Sequence, residues 1–237
     1  MFWEFFDEIR CINLITRDDR YQEASQIFNK HSIPVNFFRT HKHPNGGIQG
    51  CFESHISIIR DAYLRGLKTV LIFEDDVIDS SYLTYKNLQR AIDFMESNQR
   101  WELFYLGTHP DIRKYTIKDV GNGIYKMHSI CTHAYVVHRR LMKKLYKMKF
   151  SGTAIDYLYV NNNRAYGIYP SLFYQRCSPS DISGDITSII PVKHWWFRGV
   201  EIYAKYVNLP TSVFRNLIIA LIIIGILLWI LYRRNHR

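Results

Sequence analysis

Three consecutive acids, Glu74, Asp75 and Asp76, follow directly on the apolar run Val70-Leu71-Ile72-Phe73. A run this short leaves no room for a helix and reads as a strand buried on both faces. The acids then stand where the strand leaves its sheet. Ligands of open α/β sheets bind beyond the carboxyl ends of the strands. Three carboxylates crowded there repel one another unless something positive sits among them. A hard divalent cation, held by oxygen ligands and often shared with a phosphate, is the natural counter-charge. The cluster points to a metal-assisted site for a phosphate-bearing substrate. The competing reading is a solvated acidic turn that closes a strand.

Arg17 and Arg20 follow the first apolar run, Cys11 to Ile15, and can reach the same sheet edge. Guanidinium forks suit phosphates, although surface charge explains the pair equally well.

The elements that must position these groups alternate along the chain. Cys11–Ile15 reads as a strand, and Asp18 or Asp19 can cap a helix running to about His31. Pro34 breaks it before a strand at Val35–Phe38. His41 to Gly47 carries Pro, Asn and two Gly and reads as a loop. Phe52, Ile56, Ile59 and Tyr63 recur at helical spacing, giving a helix over about 48–65 that ends at Gly66. Tyr85, Leu88, Ile92 and Met95 mark another. Leu103–Leu106, Tyr125–Met127 and Ala134–Val137 read as strands. Residues 139–148 and 155–161 read as helices, and 167–175 as an irregular strand region. This alternation implies an α/β fold with a mostly parallel, doubly wound sheet, with a domain boundary near Pro191.

Composition narrows the class. The chain has 237 residues, 47% hydrophobic and 15% aromatic, and a formal net charge of +10. That is enough for one globular domain and an appendage. The excess positive charge is local. Arg139, Arg140, Lys143, Lys144, Lys147 and Lys149 share one stretch without an acid, and Arg233, Arg234 and Arg237 close the chain. Such a surface can face anionic head groups, a phosphorylated ligand or only solvent. Nucleic acid is disfavoured because no binding motif accompanies the charge. Cys11, Cys51, Cys131 and Cys177 are far apart with no CxxC pair, which argues against a zinc site and against a disulfide framework.

Leu217 to Tyr232 contains no charge. At about 1.5 Å per residue it spans roughly 24 Å, and extension back to Val213 gives a full bilayer span if Arg215 snorkels. Residues 213–232 are expected to form one transmembrane helix, followed by a basic tail over 233–237. Trp195, Trp196, Phe197, Tyr203 and Tyr206 in the preceding 191–212 segment suit a membrane surface. A lone helix near the C-terminal end suggests a tail anchor with the domain, residues 1–190, in the cytosol. The terminal arginines instead favour a cytosolic tail, so both orientations stand.

Several blocks, taken in order, resemble glycosyltransferase family 25, the group of lipopolysaccharide-biosynthesis and collagen galactosyltransferase-like enzymes. They are INLITRDDR (12–20), GCFESH (50–55), VLIFEDDV (70–77), WELFYLG (101–107), THAYVV (132–137), AIDYLY (154–159) and SDISG (180–184). Glu102 stands where the family has Asp. The resemblance implies a GT-A-type, Rossmann-like nucleotide-sugar domain. It also implies an inverting, metal-assisted transfer of a sugar, often galactose, from a UDP-sugar to a hydroxyl acceptor, with manganese as the usual ion. The acceptor would be a glycan, a lipid-linked sugar or a protein.

On that reading Asp76 is the direct metal ligand. Glu74 and Asp75 share metal, ribose or outer contacts. Arg17 and Arg20 meet the diphosphate, and Asn13 and Leu14 border the base through backbone contacts. Ser54 and His55, expected near a helix start whose free amides attract anions, help to bind the donor. Inversion needs a base for the acceptor hydroxyl. Asp156 is the first candidate, with Asp181 and His133 as alternatives, and Asp156 could equally cap its helix. The other reading is an inactive, membrane-tethered glycosyltransferase-like binding or scaffold protein.

Overall fold

In the computed structural model the described residues are 2–108, 118–129, 131–176, 218–225 and 229. These residues form β1 (Glu8–Leu14), α1 (Asp18–Lys30), β2 (Asn36–Thr40), α2 (Gly47–Leu64), β3 (Thr69–Glu74), β4 (Val77–Asp79) and α3 (Tyr85–Ser97). The chain continues with β5 (Leu103–Tyr105), β6 (Lys118–Gly121), β7 (Ile124–Lys126), β8 (Ala134–His138), α4 (Arg139–Leu145), α5 (Ile155–Val160), β9 (Ala165–Ile168) and β10 (Phe173–Gln175).

The main sheet has the order β2-β1-β3-β8-β5-β9-β7-β6, and β10 pairs with β4 in a small second sheet. β1 pairs in parallel with both β2 and β3, and β5 does so with β9. β8 runs against β3 and β5, and β7 against β9 and β6. In the main sheet all strands except β8 and β7 therefore point one way. The expected parallel direction holds, but the two reversed strands leave a mixed ladder.

β3 explains why the sheet is covered on both faces. Its residues from Thr69 to Phe73 are all buried, and side chains alternate across a strand. Leu71 and Phe73 join a cluster with Ala24 and Phe28 of α1 and Leu88, Ile92 and Met95 of α3. Val70 and Ile72 join another with Phe52, Ile56 and Ile59 of α2 and Leu141 and Met142 of α4. Each such aliphatic or aromatic side chain gains about 1.5–3 kcal/mol by leaving water.

With β1 between β2 and β3, the chain moves outward through α1 and returns through α2 on the opposite face. The order reverses beside β1, and such a switch opens a crevice at the carboxyl ends of the strands. The end of α2 is fixed by Gly66 (φ +84), where the Gly66 and Leu67 amides return to the Tyr63 and Ala62 carbonyls. That pairing is a Schellman motif, and a left-handed residue makes it possible.

Some local expectations are corrected. Neither Asp18 nor Asp19 caps α1. Arg17 occupies that position without a side-chain cap, while Asp18 binds Arg39 and Asp19 binds Arg17. Both acids lie in the first turn, where negative charge complements the helix dipole. β4 was not foreseen, because its three residues are hidden behind the acids. β6 was also missed, being exposed throughout and without an apolar pattern. Asp181, the SDISG block and the 191–212 segment lie outside the described residues. Of the expected span over 213–232, residues 218–225 and 229 are helical and largely exposed. Among the described residues no helix is long and apolar enough to cross a membrane.

Candidate functional site

Glu74 is the last residue of β3, and Asp75 and Asp76 turn the chain into β4. They open onto a cleft of about 120 Å³ lined by the end of β1, the 40–43 loop and one face of α2. The carboxylates are not splayed into solvent. Each is held differently.

Glu74 is braced from both sides. Its Oε1 accepts from the Thr132 hydroxyl at 2.5 Å and lies 3.2 Å from His55 Nε2. Burial works against its charge, but the hydrogen bond and charge of His55, with the Thr132 hydroxyl, hold the carboxyl below its ordinary value. Asp75 turns back toward β1 and α1. Asn13 Nδ2 donates to it at 2.7 Å and Arg20 Nη1 at 3.0 Å. Burial still raises it, against the pull of Asn13 and Arg20.

Asp76 is the least satisfied. Its Oδ2 accepts from Gln175 Nε2 at 3.0 Å and sits 4.0 Å from Arg20 Nη1. Its Oδ1 is buried and has no hydrogen-bond partner among the described residues. Burial and the charge of Glu74 push this carboxyl up to about 7. A buried acceptor without a donor is costly, and a cation is the partner that removes both the orphaned oxygen and the repulsion. The donor set, carboxylate oxygens at the edge of a cleft, fits a hard divalent ion.

The remaining sequence candidates divide. Asn13, Leu14, Arg20, Ser54 and His55 line the cleft. Asn13 acts through its side-chain amide on Asp75, not through backbone contacts alone. Arg17 is absent from the lining and pairs with Asp19, so its fork is already engaged. Ser54 and His55 lie well inside α2, which starts at Gly47. The expectation of free helix-terminal amides beside them is therefore corrected, and the Ser54 hydroxyl donates to the Gly50 carbonyl. His133 is enclosed, with Nε2 3.3 Å from the Phe173 carbonyl oxygen. The ring is almost wholly buried. Asp156 lies in the first turn of α5, half-buried. Burial raises its carboxyl, and the charge of Glu74 adds to this. It accepts from the Tyr157 amide, but it does not cap α5: Ala154 holds that position without a side-chain cap, and Asp156 lies one residue into the helix, where its charge complements the dipole.

Sequence reasoning missed five contributors. Gln175, at the end of β10, reaches Asp76 from a stretch that carried no motif. Tyr135 holds His55 Nδ1 at 2.7 Å from inside β8. His41, Lys42 and His43 bring positive or protonatable groups to the cleft rim from a segment read only as loop.

The family model described as glycosyltransferase family 25 (LPS biosynthesis protein) matches residues 41–159. The chain belongs to glycosyltransferase family 25. The match spans α2, the acid turn, β8 and nearly all of α5, and so covers the α2 and acid-turn walls of the cleft but not the β1 side or Gln175. Among family members, human "Inactive glycosyltransferase 25 family member 3" is 44% identical over 62 residues, 26% of this chain and 10% of that protein. "Procollagen galactosyltransferase 1" of Danio rerio is 24% identical over 175 residues, 59% of this chain and 28% of that protein. The chain thus spans less than a third of either relative. A glycosyltransferase involved in glycosylation of the major capsid of PBCV-1 is structurally similar, with a TM-score of 0.43 at 15% identity over 72% of this chain and 94% of that one. A likeness at that level says nothing about the site.

Proposed function

We propose that this glycosyltransferase family 25 chain transfers a hexosyl group from a UDP-sugar to a hydroxyl acceptor, with inversion and with a divalent cation, manganese by preference. The observation that carries this reading is the Asp76 carboxyl, buried at the cleft with an oxygen that has no partner among the described residues and raised to about 7. In this reading Asp76 is the ion's direct ligand and Glu74 shares it. When bound, the ion would act as a Lewis acid on the departing diphosphate.

The chain's own residues have separate tasks. Asn13 and Arg20 fix Asp75, which holds the turn so that Asp76 faces the cleft. Arg20 and Lys42 supply positive charge along one wall, complementary to a diphosphate. Asp156 is assigned as the base that takes the acceptor proton. A carboxyl raised by burial beside Glu74 is better matched to that task than a fully exposed one. A tether through residues 213–232, with the domain on the cytosolic side, would favour a lipid-linked or membrane-proximal acceptor. Protease protection in sealed vesicles tests that orientation.

The full chain in detergent, incubated with a panel of UDP-sugars, should release UDP only when Mn2+ is added. A second reading, a catalytically inactive binding or scaffold protein, is favoured by one observation: a relative 44% identical over its matched stretch is named inactive. Absence of donor turnover with every sugar and ion would select it.

A further inference from the structure

Cys51 and His55 are one turn apart on α2, and Glu74 faces them from the end of β3. One ligand atom from each, the Cys51 sulfur, a His55 ring nitrogen and a Glu74 oxygen, all lie within 4.8 Å of one another. We propose that these three residues form a site for a borderline-soft divalent ion of the Zn2+ class, on the α2 side of the cleft, beside the oxygen-only position at Asp76 and sharing Glu74 with it.

The donor set distinguishes the two positions. Thiolate and imidazole select Zn2+ over Mn2+ or Mg2+, whereas carboxylates alone do not. Three protein ligands with a fourth position open to a cleft is the arrangement of zinc sites that accept an exogenous ligand. The spacing is close to what binding needs. Bond lengths of about 2.0–2.3 Å put tetrahedral ligand atoms roughly 3.3–3.8 Å apart. His55 Nε2 and Glu74 Oε1 are already 3.2 Å apart. Only the Cys51 sulfur must swing inward, by about 1 Å on that bond-length basis, and Cys51 is half-buried on the lining of the cleft.

The surrounding contacts suit a metal-bound imidazole. The Tyr135 hydroxyl, 2.7 Å from His55 Nδ1, can donate to that nitrogen or accept from it. It can do so because it also reaches the Tyr159 hydroxyl at 3.3 Å. With a metal on Nε2, Nδ1–H would donate to Tyr135, the outer-contact pattern typical of metal-bound histidine. Thr132 orients Glu74 in the same way. The wide separation of cysteines in the sequence spoke against zinc only because it tested cysteine against cysteine. Here a single cysteine is completed by a histidine at i+4 and an acid from another element.

The test uses metal alone on the full EDTA-stripped chain, without sugar donor, so it stands or fails independently of transferase activity. Co2+ should give a near-ultraviolet thiolate-to-metal band together with the visible bands of a tetrahedral ion, and Zn2+ should displace it. Cys51→Ser should lose the thiolate band and weaken Zn2+ binding about tenfold or more. Tyr135→Phe should keep the band but bind less tightly. A wild-type chain with no thiolate band, or a Cys51→Ser chain that binds Zn2+ as tightly as wild type, overturns the site.

Discussion

Asp76→Asn should make the metal-free protein more stable in alkali while removing its transferase activity. The carboxyl is raised from 3.8 to about 7 in the folded state. Below pH 3.8 it is neutral in both folded and unfolded chains and contributes nothing. Between 3.8 and about 7 the folded chain retains a proton that the unfolded chain has released, so stability falls as pH rises. At 1.36 kcal/mol for each pH step, that loss totals about 4 kcal/mol by pH 8. Asparagine imitates the neutral acid and does not pay this cost. Its amide nitrogen, placed where Oδ1 lacks a partner, loses about 1–3 kcal/mol of hydration. The net gain at pH 8 is therefore about 1–3 kcal/mol, and the variant is less stable than wild type at pH 4. Denaturant titration in EDTA, followed by the fluorescence of buried Trp3 and Trp101, measures both. His138, held down to about 4 by burial and neighbouring Arg140, acts in the opposite direction, since stability grows with pH across 4 to 6.5. It is present in both proteins and cancels in their difference. A wild-type-to-variant difference that is the same at pH 4 and pH 8 refutes the assignment. Mn2+ at a hundred times its dissociation constant should then stabilise wild type by about 2.7 kcal/mol and leave Asp76→Asn unchanged.

Other substitutions separate the roles of the cleft residues. Asp156→Asn should lower kcat by about 10²–10⁴ with little change in the KM of the donor, and near-normal turnover removes it as the base. Arg20→Met leaves Asp75 buried with Asn13 as its main remaining partner, and should cost about 3–5 kcal/mol in a denaturant titration at pH 7. Gly107→Ala should cost about 1–3 kcal/mol, because a Cβ there overlaps the His133 ring and comes within 2.8 Å of the Phe173 carbonyl oxygen. A Gly107→Ala protein as stable as wild type would show that these groups can yield.

Much of this architecture was legible from residue order. The Val70–Phe73 run is buried on both faces as its uninterrupted apolar character required, and the helix following the 41–47 loop has the spacing of Phe52, Ile56, Ile59 and Tyr63. The acids do cluster at a strand end. Less legible was their division of labour. Nothing local in Glu-Asp-Asp says that Asp75 will be taken by Asn13 and Arg20 while Asp76 keeps an unpartnered oxygen, because those partners arrive from 55 and more positions away. Ser54 and His55 were expected near a helix start, yet a helix beginning at Gly47 places them two turns in, beyond its free amides. Gly50 is packed so tightly that a Cβ would come within 2.9 Å of His43 Cβ. Gln175 carried no signal at all, as a lone glutamine gains meaning only once β10 is paired with β4.

The pairing of β10 with β4 also determines where force enters the cleft. The Arg176 amide donates to the Asp76 carbonyl oxygen at 2.6 Å, and the preceding Gln175 side chain grips the same residue's carboxylate. Whatever polypeptide comes after position 176 starts its path one step from the acid turn. Tension or docking at that point would be transmitted straight to the Asp76 carboxyl at the cleft.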